Sequence, residues 1–312
     1  MPTYTQYTED PVLTAIAVAY HNPDASLIAD DVLPRVKVGG LKFGYQIYNE
    51  ADAFAVPDTR IGRRSSPNMV EIDGQDATAE CTDFGIAVPL DNDTIAEADR
   101  KGFDPRKQAA ERATNIVVLD RELRARDIVF NAASYNAANK IQLAGTSQFS
   151  DFVNSDPIGQ ITDMLDACFM RPNKLVFGQR SWSVTRRHPD ILKAINHNGG
   201  DKGMASRQAM ADLFEVDQIL VGASRVNLAK PGQPAGIARV WGNHIAGVFI
   251  DRTVNTGGGV TFGFTAQYGD RVAGTKDLDI GLRGGVSVRA GETVKELAIA
   301  NRAGCFIQDA VV

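Results

Sequence analysis

A helix too long for one globular layer constrains this chain more than any other feature. Asp104-Pro105 supplies an N-cap and a first-turn proline, and Ala109, Ala113, Ile116, Leu119, Leu123 and Phe130 then recur at spacings of three, four or seven. The pattern predicts a helix from Pro105 to about Ala133, about 28 residues and roughly 40 Å long. Its apolar stripe, Ile116 and Leu123 included, is expected to pack on a sheet. Asp120 with Arg124 and Glu122 with Arg126 stand acidic-before-basic at i,i+4, so the outer face is expected to be solvated or salt-bridged.

The flanking sequence reads differently on the two sides of this rod. Ahead of it, residues 1–10 are polar and precede a short apolar stretch, Val12, Leu13, Ile16 and Val18, ended by His21-Asn22-Pro23, so the chain is expected to begin with an arm. Phe43, Tyr45 and Ile47 alternate with Lys42, Gly44 and Gln46, as in a half-buried strand. A second such run is Phe84, Ile86 and Val88, and a weaker one is Val70 and Ile72. Between them, Asn49 to Asn68 has no periodicity but holds Pro57, Gly62, Pro67 and the cluster Arg60, Arg63 and Arg64. Compact domains rarely carry structureless loops of about 20 residues, so this excursion reads as an element for another subunit. Beyond residue 140 the texture is α/β, with helices from Pro157, around Pro189 to Ile195 and around Ser206 to Phe214. Strands are expected at Leu175 to Phe177, Gln218 to Val221 and Ile245 to Ile250, and again at Val286, Val288 and Gly304 to Ile307.

Composition and motifs exclude more than they assign. The 312 residues carry 33 basic and 38 acidic side chains, a formal −5 with no long basic run, so a dedicated DNA binder is not expected. Cys81, Cys168 and Cys305 are odd in number and far apart, which makes neither a disulfide framework nor a CxxC site and suits a reducing compartment. No secretory leader and no apolar run of bilayer length is visible, which leads to the expectation of a soluble chain made in the cytoplasm, without a membrane partner. GxxxxGK[ST], HExxH, GxSxG and a strand-linked GxGxxG are all missing, and Gly257-Gly258-Gly259 leads into an alternating Val260, Phe262, Phe264 instead of a helix. Of His21, His188, His197 and His244, no two stand at i,i+4. His188, between Arg187 and Pro189, reads as a surface helix start, and Cys168 as a small buried hydrophobe. Catalytic, cofactor-binding and metal-ligating residues are therefore assigned to none.

Two stretches carry a resemblance. Arg171-Pro172-Asn173-Lys174-Leu175-Val176-Phe177-Gly178 followed by Trp182 and His188-Pro189-Asp190-Ile191 is one, and Asn301-Arg302-Ala303-Gly304-Cys305-Phe306-Ile307 is the other. With the order of elements around them, they resemble the major capsid proteins of tailed bacteriophages, which have the α+β Hong Kong 97 fold. The resemblance implies an N-terminal arm over 1–35, an extended loop over 36–90 and a peripheral domain with the spine helix over 91–139. An axial domain over 140–285 and terminal strands returning to the peripheral domain over 286–312 would complete it. It further implies self-assembly through hexamers and pentamers into an icosahedral virion shell, built in the host cytoplasm. Scaffolding, portal and decoration proteins would be partners, and the packaged double-stranded DNA would be held without sequence-specific contacts. No cofactor is implied.

Physical reasoning leads the same way, because a shell subunit needs donor arms and a rigid spine, and closed shells grow through heterologous contacts. Arg60, Arg63 and Arg64 are expected to meet acidic groups of a neighbouring copy. The chain lacks the long charged amino-terminal segment that serves some relatives as a built-in scaffold, which argues for a separate scaffolding protein or none. It also has no lysine between Tyr45 and Glu80, so the loop lysine that some relatives join to a neighbour's asparagine is missing. Two alternatives stand beside this reading. One is an encapsulin nanocompartment shell, which shares the fold but usually begins with a cargo-docking helix; the other is an α/β enzyme whose site leaves no local motif.

Overall fold

Asp104 caps the long helix by accepting from the backbone N–H groups of Arg106 and Lys107, and Pro105 opens it. A computed structural model describes this helix and residues 8–9, 26–48, 56, 59–61, 69, 74–100, 104–196, 202–230, 232–234, 236–253 and 259–312. In chain order the first part holds β1 (Thr8–Glu9), α1 (Ala29–Val32), β2 (Arg35–Val38), β3 (Lys42–Tyr48), β4 (Gly74–Glu80), β5 (Thr82–Asp91), α2 (Asn92–Arg100) and α3 (Pro105–Val129). The middle holds β6 (Lys140–Gln142), α4 (Pro157–Asp166), β7 (Lys174–Gly178), α5 (Gln179–Thr185), α6 (Pro189–Ile195), α7 (Arg207–Phe214) and β8 (Gln218–Gly222). Then follow β9 (Arg225–Asn227), β10 (Ile237–Arg239), β11 (Ile245–Val248), β12 (Gly263–Leu278), β13 (Gly285–Ala298) and β14 (Gly304–Gln308). The expected brief helix at 12–18 and the weak strand at 70–72 lie outside the described residues.

Two five-stranded sheets share α3. In the first, the hairpin β12–β13 is flanked by β5 on one side, and by β1 and a parallel β2 on the other. The second runs β6-β14-β11-β7-β8. Its inner strands β14, β11 and β7 and the edge strand β8 are buried on both faces, while β6 is exposed. Leu175, Phe177, Ile219, Val221, Ile245, Cys305 and Ile307 point toward α4 to α7, whereas Val176, Leu220, Ala246 and Phe306 meet Trp241, Phe262 and the end of α3. Strands covered on both sides read as continuous apolar runs, and these do.

The sheet pairing divides the chain at other points than those expected. Residues 263–278, expected within an axial unit over 140–285, pair with β13 along one continuous hairpin and so belong to the first sheet. β14, expected to return with the other terminal strands, pairs instead with β11 and β6. Its side chains are apolar on both faces from Gly304 to Ile307, and the second sheet covers both.

The buried face of α3 also departs from the expected stripe. Ala109, Ala113, Val117, Arg121, Ala125 and Val129 are all buried, a ridge of strict i,i+4 steps. At 3.6 residues per turn each such step rotates about 40° around the axis, so five steps carry the ridge through about 200°. Ala109, Ala110 and Ala113 therefore pack on Ala273, Val288 and Ala290 of the first sheet, while Ala125 and Val129 pack on the second. One rod serves two bodies because its ridge winds. Ile116, which a straight stripe would bury, is 41% exposed, and Leu123 is only half-buried, against the second core and not the first. Leu123→Ala should accordingly cost less than the roughly 2 to 5 kcal/mol of a fully buried leucine. The sensitive contact is the alanine one: Ala110→Leu, at a position with no exposed surface, should destabilise the subunit by about 1 to 3 kcal/mol through overpacking, read as a lower midpoint of urea unfolding.

Candidate assembly surface and its charged root

Neighbouring residues on a helix point about 100° apart. Arg121 and Glu122, both buried, therefore reach two different partners. Glu122 accepts hydrogen bonds from Ile28 N and Ala29 N, each at 2.9 Å, and from Trp241 Nε1 at 2.6 Å. The two amides open α1 and have no helical acceptor, so a carboxylate there satisfies orphan donors and opposes the positive end of the helix. Burial raises the Glu122 pKa, against the pull of these bonds. The expectation that Glu122 lies on a solvated face, paired with Arg126, fails for this reason; Arg126 pairs with Asp127 at 2.8 Å.

Arg121 bonds to Asp30, to Leu33 O at 3.3 Å and to Thr265 Oγ1 at 3.2 Å. Arg35 joins Asp30 at 2.8 Å to Glu292 at 2.9 Å, and Arg271 meets the same Glu292 oxygen at 2.9 Å. Arg124 pairs with Glu296 at 3.1 Å and with Asp120, and its guanidinium lies 3.5 Å over the Phe84 ring. Four guanidinium groups and four carboxylates thus balance along a seam that ties residues 28–38 and α3 to β12, β13 and β5. Burial alone would raise the Glu292 pKa, but Arg35 and Arg271 overcome it and hold the carboxyl below its usual range. The seam fixes the root from which the next element leaves.

That element is the two-stranded ribbon β3–β4, in which Phe43, Tyr45 and Ile47 face Ala79, Ala77 and Gln75. Phe43 packs on Val38, Cys81, Phe264 and Ala266 at the root; outward from it Tyr45 is half-buried and Ile47 is exposed. Cover from the chain's own core fades along the ribbon. Past its end, Val56 and Met69 are 91% and 93% exposed, and Arg60 and Ile61 are exposed as well. Arg63 and Arg64 lie outside the described residues, so the expected cluster is seen only at Arg60. A lone two-stranded ribbon is marginal in water, and the apolar face of this one is left partly uncovered among the described residues.

One arrangement imitates a nucleophilic triad. His188 Nε2 lies 3.1 Å from Ser155 Oγ, and its Nδ1 lies 3.6 Å from Asp190. The proton order is wrong for catalysis. Ser155 Oγ donates to Asp151 O at 2.6 Å, and His188 Nδ1 accepts from Asp190 N, so Nε2 carries the ring proton and donates to the serine it would have to deprotonate. His188 is a fully buried cap of α6 and not the surface residue expected, because Phe152 closes over it edge-on. Its pKa is lowered by burial, against the pull of Asp190. All three cysteines are buried and free. Among the described residues no group of three His, Cys, Asp or Glu side chains could hold a metal, and no helix is long and apolar enough to cross a membrane. Gly257 and Gly258 lie outside the described residues.

No family model matches this chain. It is 46% identical over 303 residues to the major capsid protein of Pseudomonas phage JBD67, covering 97% of each chain. It is similar in structure to a phage-related protein from Bordetella bronchiseptica RB50, with a TM-score of 0.72, 19% identity and 98% of each chain covered. It is also similar to the capsid of cyanophage P-SCSP1u, with a TM-score of 0.57 and 11% identity over 93% of this chain and 90% of that one.

Proposed function

The chain belongs to the major capsid protein family of tailed bacteriophages and forms the head shell of the virion, and from that premise we propose how its parts serve assembly. The observation that carries the premise is the 46% identity to a phage major capsid protein, which extends over 97% of this chain. The fold alone would not separate a phage head from an encapsulin, since both are shells of this type; the sequence relative does. The family is structural, not enzymatic.

In this reading the first sheet with α3 is the peripheral domain, and the second sheet with α4 to α7 is the axial domain. The ribbon β3–β4 and the excursion from Asn49 to Asn68 form the extended loop, which covers its apolar face on a neighbouring copy of the same hexamer or pentamer. Arg60, Arg63 and Arg64 pair there with carboxylates of that copy. The uncovered Ile47, Val56 and Met69 support this reading, because an apolar edge left in water in every copy would be a liability. Scaffolding, portal and decoration proteins are the further partners. The packaged double-stranded DNA is held without base contacts, by a subunit whose net charge of −5 gives it no general affinity for phosphate.

Expression of the chain with its scaffold, followed by negative-stain electron microscopy and assay of particle nucleic acid, tests the assignment. Shells that fill with DNA in the presence of packaging proteins are expected; a small stable oligomer would overturn it. Native particles should also dissolve into monomer-sized bands under reducing, denaturing electrophoresis, because no lysine stands between Tyr45 and Glu80 to form an isopeptide link. A ladder of high-mass bands would show a covalent lock elsewhere.

A further inference from the structure

The turn joining β12 to β13 is pinned at its base and bare at its tip. Asn92 Nδ2 donates to Arg283 O at 2.8 Å, Asn92 N donates to Gly284 O at 3.1 Å, and Arg283 pairs with Asp93 at 2.7 Å. Gly281 takes a φ of +63°, which a side chain would strain. Within this held frame Leu282 is 99% exposed, more than any other large hydrophobic residue among those described. Asp279, also exposed, makes no ion pair among the described residues. A single exposed leucine on a floppy loop would mean nothing. A leucine held out by three contacts is pre-organised, and pre-organisation lowers the cost of docking it.

The same chain carries a hollow of matching chemistry. On the face of the first sheet turned away from α3, Gly85 and Gly291 stand opposite each other, with Val272 beside Gly291 and Ala87 beside Arg289. A Cβ on Gly291 would come within 2.8 Å of Phe84 O, so the close approach of the strands keeps this floor free of side chains. The resulting shallow cavity is about 500 Å³ and mostly apolar. At its rim, Arg289 Nε is shielded from solvent and has no hydrogen-bond partner among the described residues. The tip cannot fill its own hollow, because Gly285 and Gly291 are six residues apart along β13, about 20 Å.

We propose that Leu282 of one copy docks in the Gly85–Gly291–Val272 hollow of a second copy, with Asp279 meeting Arg289 at the rim. Knob and hollow occupy different parts of one chain, so the contact is heterologous and propagates from copy to copy, closing only if the rotation allows. The charges agree as well as the shapes, since neither the acid beside the knob nor the base beside the hollow forms an ion pair among the described residues. The inference rests on the head-shell reading but adds a contact made by neither the extended loop nor its arginines.

Cysteine pairing tests it, since the three native cysteines are buried. Particles co-assembled from Leu282→Cys subunits and Val272→Cys subunits, oxidised with oxidised glutathione, should yield disulfide-linked dimers on non-reducing gels, and particles of either variant alone should not. Dimers from Leu282→Cys alone would mean that tips meet tips, and would overturn the proposal. So would unlinked mixed particles, which would leave the head-shell reading untouched because the shells had formed. Leu282→Asp should keep the unfolding midpoint of the soluble subunit while losing assembled particles; normal shell yield from this variant would overturn the proposal. Arg289→Asp should lose particles in the same way, and Asp279→Arg added to it should restore them. Failure of the unmodified chain to form any shell would remove the head-shell reading and this contact together.

Discussion

Replacing Glu292 with alanine should destabilise the isolated subunit by about 3 to 5 kcal/mol, the cost of breaking a buried ion pair and leaving its partners uncompensated. The Glu292 side chain has no exposed surface, and Arg35 and Arg271, both largely buried, each reach it at 2.9 Å. Without it Arg35 retains Asp30, but Arg271 has no second carboxylate among its described contacts. Cation would then face cation across the seam. Urea unfolding of the soluble variant is the measurement, and a midpoint within error of the unmodified chain would refute the assignment of the seam as the root of the fold. Glu292→Gln should lie between the two, since it keeps the shape and an acceptor but not the charge.

Glu122 and Glu292, both buried, respond to acid with opposite signs. Glu292 has a folded-state pKa below its unfolded one, so it contributes stability at pH values above the ordinary carboxylate range, and that contribution is lost as pH falls through the folded value. Glu122 has its pKa raised by burial, so its ionisation opposes folding as pH rises from the unfolded value through the folded one. Asp30, for which Arg121 and Arg35 outweigh the desolvation that alone would raise it, sides with Glu292. Acid should therefore loosen the Asp30–Arg35–Glu292 side of the seam first, while the Glu122 grip on α1 persists as the carboxyl takes up its proton.

What could be read from the residues alone depended on whether local chemistry or tertiary packing decided each position. Asp104-Pro105 fixes where α3 begins because capping is local. The face that α3 buries is not local. Ile116 fits an apolar stripe by spacing, yet the winding ridge puts Val117 inside and leaves Ile116 in water. Glu122 and Arg126 satisfy an i,i+4 rule that holds for exposed helices, and nothing in their neighbourhood announces that Trp241 and the start of α1 will close over Glu122. β4 is a stronger case, since Gly-Gln-Asp-Ala-Thr-Ala-Glu has no strand signature and is extended because β3 pairs with it residue for residue. The Ser155–His188–Asp190 arrangement was beyond sequence reading altogether, as His188 is brought to Ser155 across 33 positions.

Deleting residues 49–68 should leave a folded, soluble subunit that makes no shells. The fold should tolerate the loss because Tyr48 and Gly74 are register partners, so residues 69–73 could close the ribbon as a five-residue hairpin loop. The charged seam and both sheets lie elsewhere. Changing only Arg60, Arg63 and Arg64 to glutamate is the finer test. An exposed ion pair contributes about 0 to 1 kcal/mol, so a single contact would hardly register. A ring multiplies it: about 0.5 kcal/mol lost at each of about six interfaces is about 3 kcal/mol, a shift of more than a hundredfold in the assembly equilibrium. The triple variant should thus sediment as subunits, or as particles that fall apart in moderate salt, while its unfolding midpoint stays where it was. Ordinary salt resistance would refute the charge pairing but spare the loop. Intact shells from the deletion variant would refute the loop as an intersubunit element, and the cover for Ile47 would then have to come from elsewhere in the assembly.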